Sequence, residues 1–290
     1  MDFILSIMVF TSITVIAVTG IFVISGLTGL FSLGQAAFMA IGAYVAGVLA
    51  VNYHLSFPVA GFVAVLVGLL AGAIVGLPAI RLRRDYIALA TFGFGEAIAA
   101  LLNQSVSITG GAMGLSGIPK KTGIELAVIS ALICIFIVRN FKYSKFGRQC
   151  IALREDELAA KSMGINVTRV KMVAFLLSAA ITAYAGVLYA FYTTYVEPAM
   201  FVWTKSAEWI IIIYFGGINS LTGAVFAGIL LTSLPEVLRF AAEWRVVIYC
   251  IVVIFILNFR PSGVFGEYEL SFNWFRKWWK HLKEKKGVMR

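Results

Sequence analysis

The sequence predicts an all-α, polytopic integral membrane protein with about nine transmembrane helices, one or more of them broken or re-entrant. Three observations carry this. The 290 residues are 61% hydrophobic and only 13% charged, with mean hydropathy +0.93, more apolar surface than a soluble domain of this size can bury. No Asp, Glu, Lys or Arg occurs between positions 3 and 80, a run far longer than one span of roughly 20 residues. The basic residues, finally, group as topology signals: Arg81, Arg83 and Arg84, then eight between 139 and 171, then eight between 260 and 290, together 19 of the 24. The positive-inside rule sends all three groups to the cytosol, which sets the N-terminus outside and the C-terminus inside.

Turns are expected at 26–34 and 52–58 within the first long run. Threading spans between the basic anchors then gives 3–24, 30–51, 57–79, 86–104, 123–139, 172–194, 204–216, 221–238 and 245–259. Lys120, Lys121, Lys205, Arg239 and Arg245 fall at the alternate, outer turns. The 204–216 segment is short for a full crossing and is expected to be re-entrant or broken. The N-terminus does not read as a signal peptide, because Asp2 stands where a basic region belongs and the apolar stretch is too long. Residues 1–266 form the transmembrane domain in this reading. Residues 267–290 form a basic tail, with Trp274, Trp278 and Trp279 among Arg276, Lys277, Lys280, Lys283, Lys285 and Lys286, expected to lie as an interfacial helix on anionic lipid. Positions 32–41 and 220–229 share five of ten residues, a weak internal echo in which each segment follows a Gly-rich turn and enters a helix.

Between two apolar stretches lies a charged block, Phe146-Gly-Arg-Gln-Cys-Ile-Ala-Leu-Arg-Glu-Asp-Glu-Leu-Ala-Ala-Lys-Ser-Met-Gly164. It reads as a short helix with Glu155, Asp156 and Glu157 in the first turn, at the positive end of the helix dipole. Lys161 follows Glu157 at i+4, the favourable order for an ion pair. Gly164 suits the left-handed position after the helix end, with Ile165 as the closing apolar contact. A new helix then begins near Asn166. Composition alone leaves two readings of the block: a capped helix gripped by something in the cytosol, or a solvated connecting loop.

Catalytic signatures are mostly missing. His54 and His281 are the two histidines, too few for a multi-histidine metal cluster or for most triads. No phosphate-binding Gly-x-x-x-x-Gly-Lys-Ser/Thr loop is present, so a nucleotide that drives this protein is bound by another chain. Cys134, Cys150 and Cys250 are scattered and read as small hydrophobes. The net charge of +10 is laid out as topology rather than as a nucleic-acid face. Glu96, near the middle of the fourth span in Thr91-Phe-Gly-Phe-Gly-Glu96, is expensive there; a structural, hydrogen-bonded Glu beside a cavity is favoured over a proton relay. Gly93 and Gly95 invite close approach of another backbone. The outer loop 109–119 has four glycines, and Gly216-Gly-Ile-Asn-Ser-Leu-Thr-Gly223 is the matching inner break.

The motifs resemble the permease subunits of bacterial and archaeal branched-chain amino acid ABC transporters, the LivH/LivM group, and most closely its LivM side. The carrying segments are Gly26-Leu-Thr-Gly-Leu-Phe-Ser-Leu-Gly-Gln-Ala-Ala-Phe-Met-Ala-Ile-Gly-Ala-Tyr44, Leu89-Ala-Thr-Phe-Gly-Phe-Gly-Glu96, the loop 109–119, and the charged block through Ile165. Ser178-Ala-Ala, Ala185-Gly186 and Gly216-Gly217 through Gly223 complete them, over about residues 25–266. Asn219-Ser220 and Ala224 depart from the family's usual Gly-Ser and Pro. The resemblance implies that residues 153–164 are a coupling helix on a cytosolic ATPase, carried by Arg154, Glu155, Asp156, Glu157, Leu158, Ala159, Met163 and Gly164. It also implies two ATPase subunits that hold ATP and Mg²⁺, a second related permease, an extracytoplasmic substrate-binding protein, and the inner membrane as the location. No cofactor or nucleic acid is expected on this chain.

Unwound backbone at membrane depth offers free polar groups. The substrate path is therefore expected beside Gly34, Gln35, Thr91, Glu96, Gly216, Gly217, Asn219, Ser220 and Thr222. An ion-coupled secondary transporter needs clustered carboxylates, whereas Glu96, Glu125, Glu208 and Glu236 are scattered. An intramembrane enzyme needs a constellation that is not found. Leucine, isoleucine and valine head the substrate list, with urea, other amino acids and small amides as family alternatives.

Overall fold

The computed structural model describes residues 2–237, 245–260, 262–266 and 268–269. Each of the nine expected segments is a helix there: α1 (Asp2–Ile21), α2 (Gln35–Asn52), α3 (Phe57–Ala79), α4 (Arg84–Gln104), α6 (Ile124–Tyr143), α9 (Val167–Thr193), α10 (Trp203–Gly216), α11 (Leu221–Val237) and α12 (Arg245–Phe259). Shorter helices join them: α5 (Val106–Thr109), α7 (Lys145–Glu155) and α8 (Glu157–Ser162). Among the described residues six helices are long and apolar enough to cross a membrane, counting α1 with the turns that extend it. α10, at 14 residues, is shorter than the ~30 Å hydrocarbon core at about 1.5 Å per residue; α11 and α12 border residues outside the described set. The tail expected to be an interfacial helix lies outside the described residues, apart from Tyr268 and Glu269.

Two spans are interrupted where the sequence places glycines. α1 runs on as a wholly buried π-helix, Phe22–Leu27. The chain then runs without helix through residues 29–34 before α2 starts at Gln35. At the second break α10 stops at Gly216 and α11 starts at Leu221; between them Gly217 has φ +115°, a conformation rare for residues with a side chain. The echoed segments thus do enter helices, α2 and α11.

Helix α9 is the centre of the bundle, with α1, α2 and α3 packed on it. The seam works because small residues let backbones approach. A Cβ on Gly42 of α2 would stand 2.0 Å from the Ala183 carbonyl oxygen, and one on Gly186 of α9 2.0 Å from that of Met39. On α3, Gly68 and Gly72 face Ala183 and Ala179. Phe38, Phe175 and Phe191 fill the larger spaces, all fully buried.

At one end of the bundle, β1 (Leu115–Ser116) pairs antiparallel with β2 (Tyr195–Val196), joining the loop after α4 to the end of α9. At the other end lie the π-helix, α7, α8, the α10–α11 break and residues 262–266 and 268–269. The charged block corrects one expectation. It is two helices rather than one, because Asp156 leaves the helical conformation (φ −150°, ψ 115°) and ends α7. Glu155 is therefore the last residue of α7 and only Glu157 lies in the first turn of α8.

Replacing Gly42 by Val should force α2 and α9 apart and cost about 3 kcal/mol. Thermal unfolding in detergent should show a clear fall in midpoint; a variant melting with the unaltered protein would mean that the seam tolerates a wider spacing.

Candidate functional site

The α8 segment is fixed by its own backbone groups. The Asp156 side chain accepts from the Leu158 and Ala159 N–H groups at 2.8 and 3.0 Å, an N-cap. At the other end the Ile165 N–H bonds the Ala160 carbonyl and the Gly164 N–H bonds that of Lys161. With Gly164 at φ +81° this is a Schellman close, as the sequence predicts. Asn166 then caps α9 by accepting from the Arg169 N–H. Leu158 and Met163, 79% and 83% exposed, project from this short rigid piece, with Ala159 exposed beside them.

Glu157 does not pair with Lys161. Both its oxygens accept from Lys171 Nζ, at 2.8 and 2.9 Å, and Lys171 is almost wholly buried. The reason is geometric. Lys171 enters from the first turns of α9 and can be desolvated only if a carboxylate meets it. Cys150, in α7, has its thiol pushed up to about 12 by burial and is unreactive.

Arg154 is the residue that ties this block to the spans. Its Nη1 donates to the Gly26 carbonyl at 2.9 Å and to Asn219 Oδ1 at 2.5 Å, and Nε and Nη2 hold Glu155. One guanidinium thus touches the π-helix of α1 and the α10–α11 break together. Arg84, at the start of α4, donates to the Leu153 and Arg154 carbonyls, closing the C-terminal end of α7. Lys142 of α6 donates to the Asn219 carbonyl at 2.6 Å and to Glu269. Burial raises the Glu269 carboxyl, but bonds from Lys142, Tyr143 and the Leu221 N–H outweigh it and hold its pKa below the ordinary 4.5. Its contribution is therefore complete above pH 4.5 and is lost as pH falls through the depressed folded value.

The expected path residues separate into three places. Gly34, Gln35 and Thr91 meet at the α2 break. Gln35 is fully buried, with Oε1 accepting from Thr182, and Thr91 Oγ1 accepts from the Leu33 N–H at 3.1 Å. A Cβ on Gly34 would strike the Thr91 carbonyl at 2.4 Å. Gly216, Gly217, Asn219, Ser220 and Thr222 sit instead at the end of the bundle that holds α7 and α8. Gly216 abuts the Gly223 backbone, and Ser220 Oγ accepts from the Gly223 N–H and donates to the Tyr268 carbonyl. Asn219 belongs with Arg154 rather than with the α2 break. Glu96 stands apart from both. It is exposed on α4 and makes no hydrogen bond among the described residues, so the expected hydrogen-bonded Glu is corrected. Its neighbour Gly95 faces Gly34, whereas a Cβ on Gly93 would meet open space.

Residues that sequence reasoning passed over complete the joints. Ser206 of α10 accepts from the Ala36 N–H at 2.8 Å, satisfying a free donor at the start of α2 deep in the bundle. Thr204, Lys205 and Glu208 stand beside it in the same helix, so the sequence alone does not single Ser206 out. Arg84, Lys142 and Lys171 were visible only as topology charges.

Two outcomes follow for the block. Gly164→Val puts a β-branched residue at positive φ, and should cost about 1–3 kcal/mol locally, read as faster amide exchange over α8. Glu157→Gln removes the counter-charge of buried Lys171 and should cost about 1–3 kcal/mol, nearer the lower end because Glu157 is 39% exposed. An unchanged melting curve for Glu157→Gln would show that Lys171 finds another partner.

Comparison with known proteins places this geometry. The family described as "Branched-chain amino acid transport system / permease component" matches residues 3–257. The chain is 34% identical to the high-affinity branched-chain amino acid transport system permease protein LivM of Salmonella typhimurium, over 88% of this chain and 68% of that one. The Escherichia coli LivM is 33% identical over the same shares. The Salmonella typhimurium LivH is 27% identical, over 65% of this chain and 61% of that one. Among solved structures, PsaBC from Streptococcus pneumoniae in complex with Fab superposes with a TM-score of 0.51 at 18% identity, covering 92% of this chain and 94% of that one, a likeness of fold. With the family match spanning residues 3–257 and relatives on both sides of the LivM/LivH division, the chain belongs to the branched-chain amino acid transport permease family.

Proposed function

We propose that this chain is the multi-pass permease subunit of an ATP-binding-cassette importer for branched-chain amino acids in the inner membrane. A second, related permease would share the path with it. The observation that carries the reading is α8: a helix capped at both ends, presenting Leu158 and Met163, and joined through Arg154 and Arg84 to both span breaks and to α4. A part of that kind receives a push and passes it on.

In this mechanism two cytoplasmic ATPase subunits bind ATP and Mg²⁺, and their closure moves α8. Arg154 carries the movement to the Gly26 carbonyl and to Asn219, and Arg84 carries it to the foot of α4. The spans then tilt between access states. On the other face a substrate-binding protein docks on the outer loops, around the paired β1 and β2, and releases its amino acid. Between α2, α3 and α4 an apolar cavity of about 440 Å³, walled by residues such as Ile41, Val45, Val48 and Leu101, offers a surface on which a branched aliphatic side chain is at home. ATP hydrolysis belongs to the partners, and the basic tail sits on lipid.

The test is reconstitution. The chain purified with its second permease and two ATPases should import labelled leucine when given the binding protein. Leu158→Glu with Met163→Glu should release the ATPases or cut coupled hydrolysis about tenfold or more, as loss of an interface anchor does. Retained coupling in that double variant would leave α8 a connecting loop. Single-cysteine labelling should reach position 2 from outside and position 156 from inside, and the same side for both would overturn the orientation.

A further inference from the structure

Glu96 is the charged residue that the fold leaves without an explanation. It is the thirteenth of the 21 residues of α4, about 18 Å above Arg84 along the helix axis. In the six long helices every other charged residue stands within five residues of a helix end, where it reaches water or headgroups. Glu96 cannot do so. It is nonetheless exposed on this chain, and no donor among the described residues meets it. A carboxylate turned to hydrocarbon is strongly unfavourable, so the face that carries it borders water or polar groups.

That face is also open. Gly93, Ala97 and Ala100 lie beside Glu96 on the exposed side of α4, and only 11% of the span's residues are buried. The cross-section there is narrow, leaving room next to the carboxylate. Below, the same helix is anchored to the coupling block through Arg84, and Thr91 fastens it to the α2 break through the Leu33 N–H. A push on the block therefore reaches Glu96 along one rigid helix.

We infer that Glu96 lines a water-filled path and binds the α-ammonium group of the zwitterionic amino acid in transit, its position governed by α4. The inference rests on the importer reading and adds the group that meets the substrate's charge. A branched aliphatic side chain needs only apolar wall, but the ammonium must exchange its water for an anionic acceptor to pass at membrane depth, and Glu96 is the acceptor the chain provides there. A carboxylate held by a charge-assisted bond to a transient cation is strong enough to guide it and is released when water competes.

The experiment uses the assembled complex of both permeases and both ATPases in proteoliposomes, with the binding protein and labelled leucine. Glu96→Gln should lower uptake about tenfold or more, the loss expected from one charge-assisted bond, while assembly and binding-protein-stimulated ATP hydrolysis persist. Glu96→Asp should recover part of the uptake, which a purely steric role would not require. In a Cys250→Ser background, with Cys134 and Cys150 buried, Glu96→Cys should react with a cationic, membrane-impermeant thiol reagent, and leucine with binding protein should slow the reaction. Unaltered uptake in Glu96→Gln, or a thiol at position 96 that never reacts, would overturn the inference. Dissociation of the two permeases in Glu96→Gln would overturn it too, assigning the carboxylate to an ion pair between subunits. Should the unaltered complex fail to import leucine, the importer reading itself falls, a result separable from all of these.

Discussion

The contact on which the end of the bundle holding α7 and α8 depends is the Arg154 guanidinium. Without it, Arg84 and the Lys171–Glu157 pair would still hold the α7–α8 block to α4 and α9, but no single group would join it to both irregular segments. With it, the carbonyl of Gly26 and the side chain of Asn219 are held by one planar group. Both acceptors sit where regular helix has been given up, the first in a π-helix and the second beside a glycine turn. Irregular backbone buried in a bundle must find donors, and a guanidinium with five of them suits the task better than an ammonium. The same arginine is held in turn by Arg84, which bonds its carbonyl, and by Glu155. Like charges are tolerated there because the acceptors outnumber them.

The second constraint is the depth at which α2 begins. Its first N–H groups are far from bulk water, so they are met by Ser206 from α10, while the non-helical segment before them is met by Thr91 from α4. Two helices from distant parts of the sequence are thereby pinned to one break. The close packing of α2 on α9 through Gly42 and Gly186 then fixes where that break sits.

Much of this was legible. The charge-free run, the basic clusters and the glycines located the long helical segments among the described residues to within about five residues. Gly164 and Asn166 were read correctly because caps are local chemistry, set by residues three or four apart. What failed was whatever depends on a partner from elsewhere in the fold. Glu157 looked satisfied by Lys161 on the same helix, yet Lys171 lies buried and has the stronger claim. Asp156 looked like one of three first-turn acids, but its side chain competes for backbone N–H groups and breaks the helix in two. Asn219 was placed on the path because it interrupts a helix, and nothing in the local sequence reveals the arginine 65 positions away that it receives. Glu96 was expected to be bonded because a carboxylate at mid-span is costly without a donor, yet among the described residues none meets it.

The caps of α8 have a consequence for the speed and economy of docking. Asp156, the Schellman close and Asn166 satisfy the backbone of residues 156–166 from within, so the conformation is already fixed before anything binds. A partner meeting it has no segment to order, and the conformational entropy that a flexible loop would lose on association was lost when the chain folded. Nor does the outward face carry any duty in holding the helix together. Leu158, Ala159 and Met163 are free to vary in shape with the groove they enter, while the residues that keep the helix in place stay the same.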